Sequence, residues 1–310
     1  EKATAKAKCT VNKNITLYAV QKKAVQLTFH RCDGSTWQKT TLAKGSSYSL
    51  PGVRDAEGYT FMGWSTKPMQ SVSPQYEAEE KITVNGNVDL YAVVFNRTTE
   101  TDLTEDQLPQ VDIYKYKQVI FVGDSRTEFM ENVLTGMGES ATKNVKFVCS
   151  AGKGLDWFTT TGWAQLYSIV QHDSNSILSK KTAVIFNFGV NDLSKSADYA
   201  EYYNWIAPQL KSKGCELYFM SVNPVNRLML PNAGRADRSE AAVRSFNQYM
   251  KANLSSAYTY IDMYSYLKST GYSFASDHYG TGTVDDGLHY TTRTYKRIFA
   301  KCMDSLRVPA

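Results

Sequence analysis

Acyl transfer to a hydroxyl needs a nucleophile, a base to take its proton, a carboxylate to orient that base, and N–H donors around the oxyanion. The last two thirds of this 310-residue chain carry residues of all these types. Ser125, in Gly123-Asp124-Ser125, offers the hydroxyl. His289 can take the proton through one ring nitrogen. Asp286, three residues earlier, can hold the other nitrogen and set the tautomer. The backbone N–H groups of Ser125 and Gly154 and the side-chain amide of Asn191 can surround the oxyanion. A primary amide suits that place because it is neutral and directional, and glycine because backbone must approach the substrate closely.

Each residue also has an ordinary reading. Asp124 and Ser125 can simply cap a helix, and Asn191-Asp192 can be a turn. Asp285 competes with Asp286 as the orienter. His278 beside Asp277 competes with His289 as the base, although no helix follows it. Arg126 reads as an ion-pairing residue or, with Asp124, as a contact to an anionic or hydroxyl-rich substrate beside the nucleophile. Any one of these short motifs is weak evidence alone.

The elements that must position them are legible as an alternation. Apolar, β-branched and aromatic runs at 119–122, 145–148, 183–188, 217–222 and 258–263 read as buried strands. Stretches of helical spacing lie at 155–170, 197–213, 238–254 and 293–306, and a helix starts near Glu128-Phe129-Met130. Such alternation predicts an α/β domain: a doubly wound, flavodoxin-like, five-stranded parallel sheet with helices on both faces. Gly123-Asp124-Ser125, Ser150-Ala-Gly-Lys-Gly154 and Gly189-Val-Asn-Asp192 each follow a strand, and Asp285-Asp-Gly-Leu-His-Tyr290 precedes the last helix. Strand carboxyl ends share one edge of such a sheet, so loops distant in sequence can meet there.

The first third is different. Val11-Asn-Lys-Asn-Ile-Thr-Leu-Tyr-Ala-Val20 recurs as Val84-Asn-Gly-Asn-Val-Asp-Leu-Tyr-Ala-Val93, which marks an internal repeat. Strands are expected at 24–30, 58–64 and 88–93, giving a small β-rich module. Residues 98–112 carry acidic side chains, no basic one, and a proline. They read as a linker, with a short helix near 104–108 capped by Thr104 as the alternative. The expected organisation is 1–20 as the tail of a preceding repeat, 21–97 as the β-rich repeat, 98–112 as the linker, and 113–310 as the α/β domain. The chain does not begin with Met, which reads as a piece of a longer protein.

Composition narrows the class. The formal net charge of +5 comes without a Lys/Arg cluster dense enough for nucleic acid. No apolar run is long enough to span a membrane. Cys9, Cys32, Cys149, Cys215 and Cys302 form no CxxC pair, against a zinc module or a disulfide-dense fold; a Cys9–Cys32 bridge stays open. Cys149 and Cys215 fall in or beside strands, as buried thiols do. The four histidines show no HExxH spacing, and the proposed chemistry needs no metal or cofactor.

Gly58-Tyr-Thr-Phe-Met-Gly-Trp-Ser65 and Val84-Asn-Gly-Asn-Val-Asp-Leu-Tyr-Ala92 resemble the Listeria–Bacteroides repeat of bacterial surface proteins. The resemblance implies a β-grasp-like module exported from a bacterium and serving as a spacer or adhesive unit. Trp64 and Tyr91 are then core residues, or glycan-stacking ones if the module binds sugar. Residues 117–306 resemble the SGNH hydrolases, or GDSL esterases. Gly123-Asp124-Ser125, Gly152-Lys-Gly154, Gly189-Val-Asn191-Asp192 and Asp286-Gly-Leu-His289 stand in the family's order. Of the two glycines in the second block, Gly154, just before Leu155-Asp156, is favoured over Gly152. Arg126 replaces the leucine usual after the serine. The resemblance implies a secreted or cell-surface serine esterase acting through an acyl-enzyme. Its expected substrates are small acyl groups on a polysaccharide or cell-wall glycan. A lipase or thioesterase of the same fold, and an adhesin with an inactive hydrolase-like domain, are the alternatives.

Overall fold

β7 (Tyr116–Gly123) is buried along nearly its whole length and is the strand around which the α/β part is assembled. A computed structural model describes residues 13, 14, 16, 22–172, 180–275 and 285–307. Cys9, most of the first repeat copy and the Asp277-His278 pair lie outside the described residues.

β7 pairs in parallel with β8 (Val145–Cys149) on one side and β9 (Lys181–Asn187) on the other. β10 (Cys215–Met220) and β11 (Tyr258–Ile261) extend the sheet in parallel, giving the order β11-β10-β9-β7-β8. Renumbered from β7 as the first strand and read from the β8 edge, that is 2-1-3-4-5, the doubly wound flavodoxin-like order. The chain first steps outward from β7 and then reverses, so the crevice at the carboxyl ends of β7 and β9 is the topological switch point where such folds bind ligands.

The period of two along a strand divides the core into two layers. Ile120 and Val122 pack with Val184, Phe186 and the buried faces of α3 (Trp163–His172), α4 (Ser196–Lys211) and α5 (Glu240–Asn253). Val119 and Phe121 pack on the other face with α1 (Ser125–Met137), α6 (Met263–Thr270) and α7 (Thr292–Ser305). Burying each such large apolar side chain stabilises the sheet by about 1.5–3 kcal/mol.

Two stretches differ from the sequence expectation. The helix expected at 155–170 is a short turn, α2 (Leu155–Trp157), a π-helical turn (Phe158–Gly162) and then α3. Gly162 permits this, because a Cβ there would sit 2.7 Å from the Trp157 ring. The apolar run 258–263 is a strand ending at Ile261 and a helix starting at Met263; Asp262 between them caps α6 through the Ser265 N–H.

The N-terminal part is β-rich. β1 (Ala24–His30), β2 (Thr36–Ala43), β4 (Tyr59–Ser65) and β6 (Val88–Asn96) form a sheet in the order β2-β1-β6-β4, with β1 and β6 parallel. β3 (Ser46–Ser49) and β5 (Lys81–Val84) pair separately. β2 has no buried residue, so its sequence carries no alternating signal. Its backbone pairing with β1 holds it.

The two parts share a core. Met62, Val93 and Phe95 of the β-rich sheet belong to the same apolar cluster as Val119, Phe121 and Phe299. The acidic stretch after β6 also packs there: Leu108 and Val111 join the cluster, and the buried Glu100 carboxylate accepts from Ser273, Thr294 and Arg297. Thr104 precedes a 3-10 turn (Glu105–Gln107), and its N–H donates to the Gln107 side chain.

Candidate active site

Ser125 is the first residue of α1, at the carboxyl end of β7. Its N–H is among the helix-initial amides that have no partner within the helix. Asp124 is the N-cap and accepts from the Arg126 N–H at 3.0 Å. The turn is tight: a Cβ on Gly123 would lie 2.0 Å from the Thr127 hydroxyl and 2.8 Å from the Asn187 carbonyl oxygen. Only glycine lets strand and helix approach this closely.

The hydroxyl of Ser125 lies 2.9 Å from His289 Nε2, and His289 Nδ1 lies 2.6 Å from Asp286 Oδ2. An ionised carboxylate only accepts, so Nδ1 carries the proton and Nε2 is free to accept from the serine. Asp286 Oδ1 accepts from the backbone N–H groups of Leu288 at 3.0 Å and His289 at 2.8 Å. Burial alone would raise its pKa. The His289 ring and these amides more than offset burial and hold the carboxyl below its usual range. His289 is only 2 % exposed, with Phe129 edge-on at 4.4 Å between ring centroids. Burial first, then the Arg126 and Arg235 guanidiniums, outweighs Asp286 and keeps the imidazole below its ordinary pKa. The ring is therefore neutral, as a base must be, at neutral pH.

These groups open on a cavity of about 340 Å³ lined by Ser125, His289, Asn191, Gly152, Arg235 and Arg238 among others. Asn191, in the loop after β9, donates from Nδ2 to the Lys153 carbonyl at 2.8 Å and accepts at Oδ1 from Arg238 Nη2 at 2.9 Å. The guanidinium thereby fixes which end of the amide is which. Gly189 is required behind it: its φ is +128°, and a Cβ would collide with Phe246 at 2.5 Å. Gly152 is on the cavity lining, whereas Gly154 is not and lies against Asp192. Asp192 accepts from Leu155 N at 2.9 Å and from the Tyr199 hydroxyl at 2.8 Å, and so ties the glycine loop to the Asn191 loop.

Two expectations are corrected. Arg126 does not reach substrate space. It is buried and spends its guanidinium on three carbonyls, Leu288 at 3.0 Å and Asn223 and Pro224 at 2.9 Å each. Nor is it ion-paired among the described residues; a buried cation is compensated here by carbonyl dipoles instead. Asp124 is likewise buried, and burial pushes its carboxyl up to about 6. It serves the helix terminus. Asp285 faces away from His289, toward Arg97.

Nothing in the sequence marks Arg235, whose Nε donates to Asp286 Oδ2 at 3.1 Å while the residue lines the cavity. It and Arg238 lie between β10 and α5, in a connection that follows a strand end; that position was the available signal. Cys149 is half-buried and Cys215 buried, and Cys32 is exposed with a free thiol. Trp64 is fully buried, with its indole N–H on the Pro51 carbonyl, and Tyr91 stacks on His30 at 4.5 Å. The exposed aromatics of the β-rich part are instead Trp37, stacked over Trp64 at 5.8 Å, and Tyr59. Among the described residues no helix is long and apolar enough to cross a membrane.

Residues 26–93 match the model of the Listeria-Bacteroides repeat domain. Comparison with curated proteins gives no significant match. Similar solved structures include a candidate acylhydrolase from Bacteroides fragilis, 17% identical with a TM-score of 0.43, covering 66% of this chain and 92% of its own. An acetyl xylan esterase is 12% identical with a TM-score of 0.40, covering 61% of this chain and 99% of its own. The catalytic domain of Streptococcus pneumoniae peptidoglycan O-acetyltransferase A is 16% identical with a TM-score of 0.38, covering 62% and 94%. The serine turn, the Asn191 loop and the histidine segment all lie within residues 119–302, which match the GDSL-like lipase/acylhydrolase model, and the chain belongs to that family.

Proposed function

We propose that the chain is a serine esterase that removes small acyl groups, such as acetyl, from a polar, hydroxyl-rich carrier of the polysaccharide or cell-wall glycan kind. The observation that carries the reading is the run Ser125 Oγ–His289 Nε2–Asp286 at 2.9 and 2.6 Å, open to a small cavity.

In this reading His289 Nε2 takes the Ser125 proton as Oγ attacks the ester carbonyl carbon. The oxyanion is met by the Ser125 N–H, the Asn191 amide and the Gly154 N–H. His289 then returns the proton to the departing alkoxide, leaving an acyl-serine, and water activated by the same imidazole releases the acid. Asp286 stays ionised and stabilises the transient imidazolium. The choice of a small acyl group and a polar carrier rests on the lining: glycines, alanines, an asparagine and two arginines, with Leu288 the one large apolar side chain. A long acyl chain would need an apolar channel. The match to a repeat of bacterial surface proteins supports an exported or cell-surface location.

The second reading, an adhesin with an inert hydrolase fold, is favoured by that same repeat. Turnover of p-nitrophenyl acetate by the purified chain, abolished in Ser125→Ala, separates the two. Equal inertness of wild type and variant on esters of several acyl lengths would defeat the esterase reading. Acetate release from acetylated xylan, pectin, mucin and peptidoglycan then identifies the carrier.

A further inference from the structure

The turn that carries Asp286 is held from outside the α/β part. Arg97, just after β6, donates through Nη2 to Asp285 Oδ2 at 2.5 Å and to Asp55 Oδ2 at 2.6 Å, and through Nε to the Thr60 hydroxyl at 2.9 Å. Asp285 Oδ1 in turn accepts from Gly287 N at 3.1 Å, closing the turn around Asp286. Asp55 Oδ1 accepts from the Asn226 side chain at 2.7 Å, and Asn226 N donates to the Gly287 carbonyl at 2.8 Å. Arg54 donates to Asn232 Oδ1 at 2.7 Å, while Asn232 Nδ2 holds the Asp285 carbonyl at 2.9 Å. Gly287 has φ +64°, and a Cβ there would lie 2.3 Å from the Asn226 carbonyl oxygen. Both sides of the 285–287 turn therefore end on residues of the β-rich part.

We propose that the repeat is a working part of the active site: through Arg97 and Asp55 it clamps the 285–287 turn and so sets the position of Asp286 and His289 against Ser125. The proposal rests on the triad reading above. Arg97 is a positioning residue. It touches no reacting atom and acts through Asp285, whose main chain continues directly into Asp286. A loop released by a fraction of an ångström loses alignment at the nucleophile, where a misplacement of about 1 Å can cost about a hundredfold in rate.

The test uses the full chain. Arg97→Gln removes the charge and keeps most of the length; Arg97→Lys restores the charge. Arg244→Ala, which deletes a bond to the Ala78 carbonyl elsewhere on the same interface, is the control for general weakening. Two quantities are read: kcat and KM on p-nitrophenyl acetate, and the far-downfield proton resonance of His289 Nδ1–H. Arg97→Gln is expected to lower kcat by about ten- to a hundredfold with little change in KM, and to broaden or erase the resonance. Arg97→Lys should recover part of both, and Arg244→Ala should leave both near wild type. If Arg97→Gln does not fold, Asp285→Asn decides, since it keeps the turn's bond to Gly287 N and loses the charge facing Arg97. Wild-type kcat and an unchanged resonance in the folded variant overturn the clamp, as does an equal loss in Arg244→Ala. A wild type inert on every ester whose resonance still vanishes in Arg97→Gln would instead defeat the esterase reading and leave the clamp standing.

Discussion

Asn191 has its amide held at both ends, by the Lys153 carbonyl and by Arg238, so its donor end is fixed before substrate arrives. A donor that need not reorient as charge develops is worth most in catalysis. Asn191→Ala should therefore lower kcat by roughly 10²–10³ while circular dichroism stays unchanged; a rise in KM alone would contradict the role. His289 adds a prediction with a sign. Protonation removes the base, and the surroundings hold its pKa below the ordinary value. Activity should persist as pH falls through about 6.5, the usual imidazole midpoint, and decline only below it. A kcat/KM profile between pH 4 and 8 with its acid midpoint at or above that value would sink the assignment. At this scale the sequence reads well where chemistry is local. Ser125 and Asn191 each sit in a short block after a strand end, and the Asp286–His289 pair in a short block before α7. The arginines do not read, because their roles depend on partners far along the chain: Arg126 reaches Asn223, Pro224 and Leu288, and Arg235 reaches Asp286.

Between elements, the informative contact is Asp192 on the glycine loop. A Cβ on Gly154 would lie 2.4 Å from Asp192 Oδ2, the atom that accepts from Leu155 N. Gly154→Ala must push that carboxylate away and release the N-terminus of α2 from the loop after β9. We expect a lower kcat together with a lower Tm; Gly152→Ala, whose Cβ would meet nothing within 4 Å, is the comparison, strained only through its φ of +71°. Equal behaviour of the two variants would contradict this account. The parallel pairing of the sheet followed from the alternation of strands and helices, since parallel pairing demands crossovers. α6 did not, because one apolar run passes from strand to helix with only Asp262 between them. β2 was silent for the opposite reason, having no fully buried residue and only Thr40 and Leu42 half-buried.

For the whole molecule, the shared core and the Arg97, Arg54 and Lys268 contacts join the β-rich and α/β parts. Lys268 is buried and donates to the Met62 carbonyl at 2.9 Å while pairing with Glu77 and Glu240. Phe95 packs on Gly271 so closely that a Cβ there would be 2.2 Å from its ring. The two parts should unfold in one calorimetric transition; two resolved transitions would show that the interface is weak. Arg126 carries a last consequence. It stands one residue from the nucleophile, yet its three carbonyl acceptors belong to positions 223, 224 and 288. During translation the serine emerges long before its imidazole and before the groups that anchor its neighbour. The anchor of Arg126 is therefore complete only once residue 288, near the end of the chain, has been made.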